Sequence, residues 1–199
     1  DLPENDPRLF GSKEEFTTDG NANFMWMQTF WSHLSDTGTA AVVMANGAMT
    51  SNNKGEKNVR QHMVDHGMVD CIVRLPDKLF LTTGIPACIF ILSKNRDGKD
   101  GIHRKREEEV LFIDLSKLGR MESRKLRVFD DEDLQKATDT YHAWRNYNKA
   151  VSSSDSAKAE SYREQGEYEN QPGFCYAATI EEIAKQDYKL TPGIYVGSE

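Results

Sequence analysis

Three short, almost wholly apolar runs, set apart by very different connectors, limit most strongly what this chain can fold into. Thr39 to Ala45 (TAAVVMA) is closed by Asn46-Gly47, and Val69 to Leu75 and Ile85 to Ser93 repeat the pattern. Runs of this kind suit strands buried on both faces, as in a parallel sheet covered by helices. Ahead of the first run, Phe24, Met27, Phe30, Trp31 and Leu34 recur at helical spacing, and Ser35-Asp36-Thr37-Gly38 ends that helix with turn chemistry. Residues 48–55 form a small-residue loop, and Glu56 to Asp65 reads as a second helix through Val59, Met63 and Val64. Only the loop Pro76 to Gly84 separates the second and third runs. A parallel crossover needs roughly a dozen residues or more, so these two strands are expected to pair antiparallel. The order helix, strand, helix, strand, loop, strand predicts the closing half of an α/β sheet that ends in an antiparallel hairpin.

The flanks carry weaker signals. Residues 1–20 are rich in Pro, Gly, Asp and Glu and read as a loop. Lys94 to Glu109 is almost uniformly charged or Gly, which predicts a solvated hairpin loop, and Val110 to Leu115 predicts a further strand. Asp130-Asp131-Glu132 precedes a helix through Leu134, Ala137, Tyr141 and Trp144, the acids suiting its positive N-terminal end. Residues 149–172, rich in Ser, Glu and Lys, read as a mobile surface segment. Phe174 to Lys185 predicts a strand and a helix, with Thr179 as N-cap and Glu182 completing a capping box. The expected organisation is a loop over 1–20, part of one α/β domain over 21–118, and a trailing α/β extension over 119–199.

The chain's 199 residues suit about one domain. No apolar run approaches the roughly 18 residues of a membrane span, and Asp1 to Asp6 lacks the basic and apolar parts of a signal peptide. A cytoplasmic protein without membrane contact is expected. Cys71, Cys88 and Cys175 are far apart in apolar or aromatic surroundings and read as buried reduced thiols. No metal site is expected: His62 and His66 share a helix face without a third ligand. Dinucleotide, Walker, zinc-protease and serine-hydrolase signatures are absent. The net charge of −7 argues against a general basic coating for nucleic acid, because duplex affinity is largely phosphate neutralisation by Lys and Arg. A large DNA enzyme can nonetheless carry its basic surface elsewhere.

Several motifs in order resemble one family. They are Gly20-Asn21-Ala22-Asn23-Phe24-Met25-Trp26, Gly38 to Gly47, Val69-Asp70-Cys71-Ile72-Val73-Arg74-Leu75-Pro76, and Leu79-Phe80-Leu81-Thr82-Thr83-Gly84-Ile85-Pro86. Val110 to Asp114, Asp139 to Arg145, Gly173-Phe174-Cys175 and Asp187 to Gly197 follow. From Gly20 onward the chain is similar to the modification subunits of type I restriction-modification systems, which are N6-adenine DNA methyltransferases. The resemblance implies an incomplete Rossmann-like methyltransferase sheet with S-adenosylmethionine as cofactor. It implies DNA and the specificity and restriction subunits of a type I complex as partners. In that family the cofactor loop and an Asn/Asp-Pro-Pro-aromatic tetrapeptide precede the matched region, and neither occurs in these residues. No catalytic residue is therefore assigned, and a fragment inactive alone is expected.

By position in the Leu-Pro-x-x-Leu-Phe-x-x-Thr loop, the resemblance makes Phe80 the candidate aromatic contact for a flipped base, with Thr82 and Thr83 beside it; capping of the core at a strand end is the simpler alternative. Asn21, Phe24 and Trp26 stand where the family places a helix near the cofactor cleft, although capping and core packing explain them more simply. Asn46, at a strand's carboxyl end, is a further cofactor candidate. Lys54, Lys57 and Arg60 are expected on an exposed helix face. The rival expectation is a non-enzymatic interaction module or self-associating half-domain, since half a sheet exposes an edge.

Overall fold

The computed structural model describes residues 2–18, 20–146 and 167–197; the expected mobile segment lies largely outside them. Five strands form one mixed sheet in the order β1-β3-β2-β4-β7. These are β1 (Thr39–Ala45), β2 (Val69–Arg74), β3 (Ala87–Ser93), β4 (Glu109–Asp114) and β7 (Cys175–Thr179). A separate two-stranded sheet joins β5 (Arg120–Met121) to β6 (Arg127–Val128). Strands β2 and β3 pair antiparallel, as their short connector requires, while β2 and β4 pair parallel across a longer connection. Two apolar layers cover the sheet. On one face Phe24, Met27, Val59, Met63, Phe90 and Phe112 belong to one core cluster; Cys71, Leu111, Ile113, Trp144 and Phe174 belong to the other.

The helices follow from the sequence pattern. In α2 (Asn23–His33), Phe24 and Met27 are buried, and in α3 (Lys54–Asp65), Val59, Met63 and Val64 are buried. The side chain of Asn53 caps α3 by accepting from the Gly55 N–H. Gly55 is required here: a Cβ would lie 2.1 Å from the Thr17 carbonyl oxygen, so only glycine lets the N-terminal segment press onto α3. That segment contains α1 (Lys13–Phe16), and Phe10 and Phe16 pack against the core rather than trailing as a loop. At the other end, α4 (Asp131–Asn146) carries three acids in its first turn, and α5 (Ile180–Lys185) has the full Thr179/Glu182 capping box. The short α6 (Pro192–Val196) follows, with Tyr195 stacked 4.0 Å from Phe112. No helix among the described residues is long and apolar enough to cross a membrane.

Three further expectations are corrected. Among the described residues strand β1 is not enclosed between other strands: it pairs there with β3 alone, and its burial alternates, with Val43 58% exposed. Its apolar run therefore marks an edge. The connection from Lys94 to Glu109 is neither a hairpin nor uniformly solvated. Strands β3 and β4 lie on opposite sides of β2, so the connection crosses over β2's amino end and buries two arginines there. Arg96 and Arg106 both donate from Nε to Asp70 Oδ1, at 3.0 and 2.8 Å, and the Tyr141 hydroxyl donates to Oδ2 at 2.5 Å. Burial lowers the Arg96 guanidinium from its ordinary value, against the pull of Asp70. Finally, Arg60 is not on an exposed face. It is 1% exposed and donates to the carbonyls of Ala48, Ser51 and Tyr188, tying the loop after β1 to the C-terminal segment.

Cys71, Cys88 and Cys175 are free and buried, and burial pushes the Cys88 thiol up to about 12. The native protein is therefore expected to resist a thiol-specific chromogenic reagent at pH 8, all three thiols reacting only in denaturant. Rapid reaction of one equivalent before unfolding would contradict the packing described.

Candidate functional site

Both β1 and β2 run antiparallel to β3, and β4 runs parallel to β2, so the carboxyl ends of β1, β2 and β4 share one edge of the sheet. In α/β sheets this edge is where loops build ligand clefts. The exits are tied together here. The Asn46 N–H donates to the Pro86 carbonyl at 3.3 Å, Leu75 N–H to Ala87 at 2.9 Å, and Leu115 N–H to Arg74 at 2.9 Å. An Arg74–Asp114 ion pair at 3.4 Å bridges the ends of β2 and β4.

The loop from β2 to β3 leaves this edge with Leu75 and Pro76 buried, then projects outward. Lys78 takes a left-handed backbone with φ of 59°, which turns the chain. Phe80 and Thr83 form an isolated antiparallel bridge, with Thr83 N–H donating to the Phe80 carbonyl at 3.4 Å. The Thr83 hydroxyl accepts from Ile85 N–H at 3.1 Å, so it holds the turn's shape. Phe80, Thr82 and Thr83 are thus gathered on one exposed turn. Phe80 is 40% exposed, Leu81 76% and Ile85 64%, so large apolar surface stands in water at the carboxyl edge. The exposure of Leu81 and Ile85 was not singled out from the sequence; the available signal was apolar side chains in a loop with neither helical nor strand periodicity.

The four cofactor candidates are placed differently. The Asn21 side-chain amide donates to Glu56 Oε1 at 2.7 Å, and its oxygen accepts from Asn23 N–H at 3.2 Å, so its polar atoms join α2 to α3. Phe24 is 1% exposed, edge-on to Phe90 at 6.4 Å, in the core. Trp26 is 57% exposed and stacks on Phe30 at 6.0 Å. Asn46 opens a 3₁₀ turn directly after β1, and its side-chain oxygen is buried without a partner among the described residues. Of the four, Asn46 alone offers an unengaged buried polar atom at the carboxyl edge, fitting a hydrogen bond from a ligand donor. His62 and His66 stack at 3.9 Å, Phe10 covers His62 at 4.5 Å, and no metal-binding cluster exists among the described residues.

The family model described as N-6 DNA Methylase matches residues 3–199. The chain belongs to this family. It is 42% identical over 179 residues to the HindI type I restriction enzyme methylase subunit of Haemophilus influenzae, covering 90% of this chain and 34% of that protein. It is 34% identical over 198 residues to the MjaIX methylase subunit of Methanocaldococcus jannaschii, covering 96% of this chain and 31% of that protein. The chain thus spans about a third of the methylase subunits it matches. Its fold superposes on the type I methyltransferase subunit of Streptococcus thermophilus with a TM-score of 0.69 at 24% identity, over 96% of this chain and 34% of that one. The N-6 DNA methylase resemblance read from the ordered motifs therefore holds, and the mixed sheet matches part of a methyltransferase subunit.

Proposed function

We propose that this chain supplies one wall of the base-binding pocket of an adenine-N6 DNA methylase in a type I restriction-modification complex, as the closing part of a Rossmann-like sheet. One observation carries this reading: the exposed turn Phe80–Thr83, with Leu81 and Ile85, at the carboxyl edge of a sheet belonging to an N-6 DNA methylase. An adenine amino group inside a duplex is out of reach of any active site until the base is extruded, at a cost of a few kcal/mol. Phe80 offers the extruded ring a new stacking face, and Thr82 is the candidate polar contact on the same exposed turn. S-adenosylmethionine supplies the methyl group in the intact enzyme, with Asn46 as this chain's candidate contact. The acceptors that polarise the amino group belong to an Asn/Asp-Pro-Pro-aromatic motif that these 199 residues lack, so the chain alone is expected to transfer no methyl group. In the complex, a specificity subunit selects the DNA sequence and a restriction subunit joins them.

The test replaces the target adenine by 2-aminopurine, whose fluorescence rises on unstacking, and titrates the DNA with the assembled methylase. Phe80→Ala is expected to reduce the rise that the unaltered enzyme gives; an unchanged rise would remove Phe80 from the base site.

A second reading, self-association of the chain by itself, draws on the β1 edge. Among the described residues strand β1 has a neighbour on one side only, and Val43, Trp26 and Phe30 expose apolar surface. Unpaired strand edges seek partners. In the intact protein, the occupant proposed here is a strand from the rest of the methylase sheet. Light scattering on the 199-residue chain is expected to show concentration-dependent association, weakened by Val43→Lys. A monodisperse monomer at high concentration would count against an open edge.

A further inference from the structure

The chain is acidic overall, yet residues 117–128 hold five cations, Lys117, Arg120, Arg124, Lys125 and Arg127, against the single acid Glu122. They lie on the small hairpin β5–β6. Gly119 closes its base with φ of 79°, where a Cβ would approach the Val128 carbonyl oxygen to 2.7 Å. Its tip is fixed as well: Glu122 N–H donates to the Leu126 carbonyl at 2.9 Å, and the Ser123 hydroxyl accepts from Leu126 N–H at 3.1 Å. Two of the cations have structural duties, Arg120 pairing with Asp130 and Arg127 with Asp77. Arg124 and Lys125, at the rigid tip, are exposed and have no ion-pair partner among the described residues.

The hairpin is anchored to the loop that carries Phe80. Arg127 N–H donates to the Lys78 carbonyl at 2.8 Å, and the Arg127–Asp77 pair spans 3.3 Å. Phe80 lies two positions after Lys78 and Lys125 two positions before Arg127, so chain geometry keeps the tip within about 20 Å of the aromatic turn. One duplex can engage both. We infer that Arg124 and Lys125 grip the DNA phosphate backbone beside the extruded base, with Lys78 between them and the turn. The inference rests on the base-pocket reading for its choice of partner. A guanidinium fork and an ammonium on a fixed turn suit phosphate oxygens, and such contacts position DNA without reading its sequence.

The experiment measures DNA binding by the assembled methylase carrying Arg124→Ser and Lys125→Ser, for target and non-target duplexes over a range of salt. Affinity is expected to fall about tenfold for both duplexes. The slope of log affinity against log salt should become shallower by about 2, close to 0.9 per lost phosphate contact. An unchanged thermal midpoint is the control for folding. Unchanged affinity and slope would overturn the proposal, as would loss of another subunit from the complex with the slope preserved, which would assign the tip to an acidic protein face. If Phe80→Ala leaves 2-aminopurine fluorescence unaltered while the tip variant flattens the salt slope, the base-pocket reading fails and the phosphate grip stands.

Discussion

Asp70→Asn is expected to lower the stability of the fold by about 3–5 kcal/mol, the loss typical when one partner of a buried ion pair is removed. The side chain of Asp70 is 0% exposed and those of Arg96 and Arg106 are 2% and 0% exposed, so neither guanidinium regains water when the carboxylate charge goes. An amide of the same shape keeps one acceptor but turns N–H groups toward donors from Arg96, Arg106 and Tyr141. Tyr141→Phe removes one bond to the same carboxylate and should cost about 1.5–3 kcal/mol. The ranking follows from charge: the first change strands two cations, the second none. Urea unfolding checks both through the midpoint at constant m-value. An Asp70→Asn protein within about 1 kcal/mol of the unaltered one would mean that the cluster's charges are solvated or compensated in a way this geometry lacks.

This cluster also marks where sequence reasoning stops. The pairing of β2 with β3 was legible because a short connector leaves one topology open, and the Thr179/Glu182 box because capping is local. Arg96 and Arg106 sit in a stretch whose composition matches a solvated loop, and their partner Asp70 lies 26 and 36 positions away. Periodicity encodes which face of an element is apolar; it carries no record of which charge meets which across the fold. The run Thr39–Ala45 misled for a related reason, since apolar residues suit both an enclosed strand and an edge awaiting a neighbour. At the candidate site, grouping Phe80, Thr82 and Thr83 was legible from adjacency. The engagement of Asn21 with Glu56 was not, because it joins residues 35 positions apart. The phosphate-gripping hairpin proposed above was overlooked because a net charge summed over the chain hides a local reversal of sign.

The geometry also separates the chain's working parts. The Asp70 cluster sits at the amino end of β2, where it joins α4 to the crossing connection, and the Phe80 turn leaves the opposite end of the same strand. A rigid strand between them lets the turn expose apolar surface without loosening the core, because Leu75 and Pro76 stay buried where the loop departs. Loss of Phe80's ring should therefore leave folding almost untouched and act on DNA.

Phe80→Ala in the assembled methylase is expected to weaken binding of the extruded-base complex by about 1–3 kcal/mol, the range measured when an aromatic ring stacked on a base is truncated. That corresponds to a loss between about fivefold and somewhat over a hundredfold, since 1.4 kcal/mol is a factor of ten. The loss should appear in kcat/KM and be larger for adenine in a matched pair than in a mismatch, where unstacking costs less and the ring contributes less to extrusion. Phe80→Trp restores a stacking face and should recover most of the activity, whereas Phe80→Leu keeps apolar bulk without a π surface and should not. The thermal midpoint should move little, because Phe80 is 40% exposed and stands outside both core clusters among the described residues. If Leu restored activity as well as Trp, or if the variants failed through unfolding, Phe80 would be a cap on the strand end, and the pocket's aromatic wall would lie elsewhere.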